Sequence, residues 1–178
     1  SLEGHVLVLF TAYSLLKKVH TVVKPILESK EISVLAQGTD GSPEHICKKF
    51  IENSKTLILG TNSFWEGIDL ADGILKAIVF PRLPFSVPTD PVYKKRSDEY
   101  EKPFLEYAIP QAILRFRQGF GRLIRSKTDT GVFIVIDHRI VTKKYGRNFI
   151  ESLPNPKLKI TSYKNINHSI SEWKLNYD

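Results

Sequence analysis

The chain has 178 residues, 26 Lys and Arg against 19 Asp and Glu for a formal charge of +7, 42% hydrophobic residues, one cysteine and no methionine. A length of this order suits one domain that buries about 70% of its unfolded surface, so neither a metal nor a disulfide staple is required. Cys47 alone excludes an internal disulfide, and excludes a zinc or iron–sulfur site made only of this chain's cysteines. The longest apolar runs, such as residues 6–10 and 132–136, fall far short of the roughly 18 residues that cross a membrane, and no signal-peptide pattern opens the chain. The expectation is a cytoplasmic protein with no membrane partner. The absence of Met suggests a piece of a longer chain. The positive balance suits a polyanionic partner, but placement of the charge has to decide.

Residues 5–10 form a continuous apolar run, and Leu15, Leu16, Val19, Val22, Val23, Ile26 and Leu27 follow at helical spacing, which predicts a strand and then an amphipathic helix. A second short strand is predicted over 32–36. After a turn-rich segment, Pro43 opens a helical pattern through Ile46, Phe50 and Ile51. Residues 56–59, 76–80 and 131–136 read as three more buried strands, with helices at about 111–125 and 140–153 around the last. Strands that alternate with helices and read as unbroken apolar runs indicate a parallel sheet covered on both faces. In such an α/β sheet, ligands sit outside the carboxyl ends of the strands, so the loops beginning at Thr11, Gln37, Gly60, Pro81 and Asp137 are expected on one functional edge. Residues 81–110, with six prolines, interrupt the alternation as an ordered excursion with a helix near 97–107. The tail from Pro154 is expected to add an edge strand and a short helix ending near Trp173.

Residues 111–127 hold Arg115, Arg117, Arg122, Arg125 and Lys127 and no acidic residue. Gln111, Arg115, Gln118, Arg122 and Arg125 are spaced to form one helical stripe, while Ile113, Phe116, Phe120 and Ile124 form the apolar stripe facing the sheet. Like charges at these spacings repel, so a stripe of this kind is explained by a bound anion or by a solvated basic face. Gly119 and Gly121 cost about 1 kcal/mol each relative to Ala within a helix, which suggests that a ligand or facing domain approaches the backbone.

Gln118-Gly-Phe-Gly-Arg-Leu-Ile-Arg125 resembles motif VI of superfamily 2 helicases, Q-x-x-G-R-x-x-R. Residues 8–13 resemble motif IV, and Gly60-Thr-Asn-Ser-Phe-Trp-Glu-Gly-Ile-Asp69 resembles motif V, in the family's order. Within the superfamily, residues 64–70, 80–85 and 121–126 look most like the DinG branch, bacterial relatives of the XPD helicase; residues 135–139 also fit that branch.

The resemblance covers about residues 6–153 and implies that 1–178 is a single RecA-like domain: an open parallel sheet flanked by helices on both faces, the second of a helicase's two motor domains. The first would hold ATP and Mg2+ with a G-x-x-x-x-G-K-[ST] loop, and no Gly-Lys-Ser or Gly-Lys-Thr occurs in this sequence. The isolated domain is therefore expected to be inactive, and the whole protein to be an ATP-dependent DNA helicase. By similarity Arg125 is the arginine finger, Arg122 a second γ-phosphate contact and Gln118 the link between nucleotide and cleft, while Glu66, Gly67, Asp69 and Gly121 face the nucleotide or the first domain. Thr11, Tyr13, Gln37, Thr61 and Asn62 resemble positions that hold single-stranded DNA, by hydroxyl and amide contacts that read no bases. Several alternatives remain at this stage: Thr11 caps a helix, Asp69 caps a turn, Glu66 pairs with Arg122, and Asp137 and Arg139 form either a structural or a catalytic pair. Some DinG-like proteins carry a fused exonuclease, in which case the helicase half is a binding or regulatory module. An iron–sulfur cluster, where the family has one, lies outside this segment.

Overall fold

The computed structural model describes residues 2, 4–61, 64, 70, 73–87 and 89–177. Five parallel strands, β1 (Val6–Phe10), β2 (Ser33–Ala36), β3 (Thr56–Thr61), β4 (Ala77–Phe80) and β5 (Val132–Val135), form a sheet in the order β2-β3-β1-β4-β5. The two-residue period of a strand sends alternate side chains to opposite faces. Val8, Phe10, Val34, Ala36, Leu57 and Leu59 pack with Leu16 of α1 (Tyr13–Glu28). Leu7, Leu9, Leu35, Ile58, Ile78 and Phe80 pack with Ile46 and Phe50 of α2 (Pro43–Glu52) and with Leu123 of α4, described below. The α/β sheet therefore has helices on both faces, as expected. Val22 and Ile26 lie outside the buried stripe of α1 and are exposed.

Local chemistry explains the starts. Ser42 accepts the His45 N–H at 3.3 Å, and Pro43 occupies the first turn of α2, where its missing N–H costs nothing. The helix expected near 97–107 instead begins earlier, as α3 (Pro91–Ser97): Asp90 Oδ1 accepts the N–H groups of Val92 and Tyr93 at 2.8 and 3.0 Å. Pro103 then opens a π-helical stretch, Phe104–Ala108, that runs directly into α4 (Ile109–Leu123).

Three further expectations are corrected. α4 stops at Leu123 rather than at 125, because Ile124 turns extended (φ −121°, ψ 96°) and packs against the core. The helix expected over 140–153 is two short ones, α5 (Arg139–Thr142) and α6 (Gly146–Glu151). They cross so closely that a Cβ on Gly146 would lie 2.2 Å from the Ile140 carbonyl oxygen. The tail contributes α7 (Ile166–Tyr177) but no strand among the described residues; a Lys159–Glu172 ion pair ties it to that helix.

Candidate functional site: two ends of one sheet

The strands are parallel, so the segments after β1, β2 and β3 emerge at the same edge, with β1 and β3 paired through Phe10 and Thr61. Three expected DNA-contact residues meet there. Gln37 Oε1 accepts both the Thr61 N–H at 2.8 Å and the Thr61 hydroxyl at 2.9 Å. Tyr13 packs against Gly38, where a Cβ would come 2.3 Å from the tyrosine oxygen, and Lys17 Nζ stands 4.9 Å from the Tyr13 ring centroid. Thr11 sits half-buried just before α1. The cap of α1 is Ala12 and no side chain caps it, which removes the capping alternative for Thr11.

The loop carrying Gln37 and Gly38 is clamped to α1 by a residue that sequence reasoning missed. Asp40 Oδ2 accepts the Ala36 N–H at 2.8 Å, and Oδ1 accepts from Lys24 Nζ at 2.6 Å. His20 Nε2 lies 3.2 Å from Oδ2, close enough for charge contact but without hydrogen-bond geometry. Burial acts to raise the pKa of Asp40, but the Lys24 and Ala36 hydrogen bonds and the neighbouring cations outweigh it and hold the carboxyl below its ordinary 3.8. The only sequence signal was an Asp in a Gly-rich turn after a strand.

The motif VI arginines are at the other end. α4 runs from the carboxyl end of β4 back to the amino end of β5, so Arg122 in its last turn and Arg125 beyond it lie at the amino edge of the sheet; a Cβ on Gly131 would meet Leu123 there at 2.6 Å. The expected arginine stripe is broken up. Arg115 Nη1 donates to Ser86 Oγ at 2.6 Å and so braces the excursion. Gln118 and Arg122 remain one turn apart on α4, but Arg125 leaves the helix. Its Nη2 donates to the Leu70 carbonyl at 3.0 Å, while its N–H and that of Ser126 both donate to Asp129 Oδ2 at 2.8 Å. Those two N–H groups, Ser126 first, hold the Asp129 carboxyl below the usual carboxylate range. Asp129, too, was missed from the sequence.

Ala112, Phe116, Gly119 and Leu123 form the centre of the buried face of α4, with Ile113, Phe120 and Ile124 at its margins. Gly119 is needed for packing, since a Cβ would be 2.8 Å from Phe80 Cζ. Around Gly121 nothing among the described residues lies within 4 Å of such a Cβ, which leaves that backbone open on the side they form. Asn62, Trp65, Glu66, Gly67 and Asp69 lie outside the described residues.

Asp137 and Arg139 form an ion pair within the domain. Arg139 Nη2 donates to Asp137 Oδ2 at 2.6 Å, the Leu83 N–H donates to the same oxygen at 2.9 Å, and the guanidinium covers the Phe85 ring at 5.5 Å. Burial would raise the pKa of Asp137, yet the Arg139 and Leu83 hydrogen bonds lower it to about 2. Burial, and then the Glu44 charge, raise the pKa of the half-buried Cys47 thiol, which packs against the core. Among the described residues no group of three or more His, Cys, Asp or Glu side chains could hold a metal ion, and no helix is long and apolar enough to cross a membrane.

A five-stranded all-parallel α/β sheet with helices on both faces is the fold of a RecA-like helicase domain, and residues 1–156 match the helicase C-terminal domain model. The chain belongs to that family, on its DinG-like branch. It is 43% identical over 157 residues to the 3'-5' exonuclease DinG of Bacillus subtilis, covering 85% of this chain and 17% of that protein. It is 36% identical over 157 residues to the ATP-dependent DNA helicase YoaA of Haemophilus influenzae, covering 86% of this chain and 24% of that one. The chain thus spans less than a quarter of the length of these two relatives. The Xpd4 structure from S. tokodaii shares the fold, with a TM-score of 0.60 at 18% identity over 88% of this chain and 30% of that one.

Proposed function

We propose that residues 1–178 act as the second motor domain of a cytoplasmic, DinG-type, ATP-dependent DNA helicase. One edge grips single-stranded DNA through Thr11, Tyr13, Gln37 and Thr61, and Asn62 serves the same contact. The other presents Gln118, Gly121, Arg122 and Arg125 to ATP held by a first RecA-like domain, and Glu66, Gly67 and Asp69 of motif V serve the nucleotide or that domain. The observation that carries this reading is the placement of Arg122, next in sequence to Gly121, and of Arg125 just beyond α4, both at the end of the sheet opposite the polar loops. Guanidinium groups suit a γ-phosphate whose negative charge must be stabilised as transfer proceeds, and they act by position and charge without moving a proton. Magnesium and the Lys that cradles the phosphates belong to the phosphate loop, which this sequence lacks, so the domain alone turns over no ATP.

In the full-length protein, Arg125→Ala should lower DNA-stimulated ATPase by about 10³-fold or more, as for arginine fingers elsewhere, in a protein that still folds and loses only the stability of the Leu70 hydrogen bond. Near-normal turnover would refute the assignment. The name of the Bacillus subtilis relative favours one second reading, in which this domain binds or regulates nucleic acid for a fused exonuclease. Separate assays of duplex unwinding and strand degradation distinguish the two: degradation without ATP-driven unwinding supports the second.

A further inference from the structure

Arg125 lies between the end of α4 at Leu123 and the start of β5 at Val132, so neither a helix nor a strand sets its backbone angles. A compact turn does this instead. Asp129 N–H donates to the Ser126 carbonyl at 3.3 Å, the Ser126 and Thr128 hydroxyls are 2.9 Å apart, and one oxygen, Asp129 Oδ2, takes the N–H groups of Arg125 and Ser126 together. Arg125 is thereby held at both ends, its amide by Asp129 and its guanidinium by the Leu70 carbonyl. A side chain with several rotatable bonds reaches a defined point only if its backbone origin is fixed, and a displacement of about 1 Å at a reacting centre costs up to about 10²-fold in rate.

We propose that Asp129 is a positioning residue for Arg125, its carboxylate setting the turn from which the guanidinium reaches the nucleotide. The inference rests on the reading of Arg125 as the phosphate-reaching arginine. Asp129 is a carboxylate beside that arginine and feels its charge, but its strongest accepted bonds come from the backbone N–H groups of Ser126 and Arg125, followed by the Ser126 hydroxyl, so its role is to orient the turn.

The test compares Asp129→Ala, Asp129→Asn, Asp129→Glu, Arg125→Ala and the Arg125→Ala/Asp129→Ala double variant in the full-length protein, by ATPase with saturating single-stranded DNA and by thermal midpoint. Asp129→Ala should lower kcat by about 10- to 100-fold with little change in KM for ATP. Asp129→Asn retains an oxygen that accepts both N–H groups and should restore most of the rate. In the Arg125→Ala background, assayed at high enzyme concentration, removal of Asp129 should cost nothing further, because a residue that acts only through Arg125 has nothing left to position. If Asp129→Ala fails to fold, Asp129→Glu carries the comparison: the oxygen is displaced by one methylene, and kcat should still fall in a folded protein. Near-wild-type kcat in Asp129→Ala, or in a folded Asp129→Glu if the alanine variant does not fold, while Arg125→Ala is inactive overturns this inference alone. So does a full additional loss in the double variant. Near-normal turnover in Arg125→Ala overturns the arginine-finger reading and this inference with it.

Discussion

Asp137 shows what a single buried charge contributes here. Its carboxylate receives the Arg139 guanidinium and the Leu83 N–H, joining the end of β5 to the loop after β4. With the folded pKa near 2 against an unfolded value of 3.8, the pair adds stability that is fully present above about pH 4 and is lost as pH falls toward 2. A shift of this size corresponds to about 2 kcal/mol. Asp137→Asn should therefore be destabilised near neutral pH by that order and should show a flatter stability profile between pH 4 and 2 than the parent, as read by urea unfolding at several pH values. Asp40 shifts in the same direction, so its contribution is also lost on acidification, and the two carboxylates together make acid unfolding steeper.

At the scale of the element, α4 places two glycines two residues apart in different surroundings. Gly119→Ala would push a methyl into the fully buried Phe80 ring, a clash that costs about 1–3 kcal/mol and exceeds the roughly 1 kcal/mol of helix propensity gained. Gly121→Ala meets no such obstacle among the described residues and should add stability through the propensity gain of up to about 1 kcal/mol, read as a higher thermal midpoint. If the first motor domain closes on that backbone, the same variant of the full-length protein should lose ATPase activity as its midpoint rises. Unchanged activity would show that no partner approaches there. The helix itself was legible from its apolar spacing, but its end was not. Position 124 continues the helical pattern, yet the chain turns extended because Ile124 packs against the core and Asp129 offers its oxygen to the next two amides. Those competing contacts lie outside any local propensity.

Across the whole molecule, the polar loops and the motif VI arginines occupy opposite edges of one sheet, so the proposed function predicts that DNA grip and phosphate contact separate by mutation. In the full-length protein, Gln37→Ala breaks the bond to Thr61 and should raise the single-stranded DNA concentration needed for half-maximal ATPase, with turnover at saturating DNA largely kept. Arg122→Ala should do the reverse, lowering kcat while DNA binding, followed by fluorescence anisotropy, stays near the parent value. Equal loss of both in either variant would count against the two-edge arrangement. The rule that ligands gather at the carboxyl ends of parallel strands located the polar loops correctly but gave no place to the arginines. A helix after a strand returns to the opposite edge, so its last turn had to emerge there.

Strand and helix alternation, the two-faced sheet and the order of the motifs were all present in the sequence, because apolar periodicity and turn chemistry act over a few residues. Contacts between distant residues needed the folded chain. Gln37 meets Thr61 across 24 positions and Arg125 meets the Leu70 carbonyl across 55. The alignment of Asp40 with Lys24 and His20 likewise depends on packing α1 against the loop after β2. The sequence by itself determined which residues the proposed phosphate and DNA contacts draw on. Only the tertiary structure decided where each one points, since that depends on where the elements end and which distant carbonyl, amide or carboxylate their ends meet.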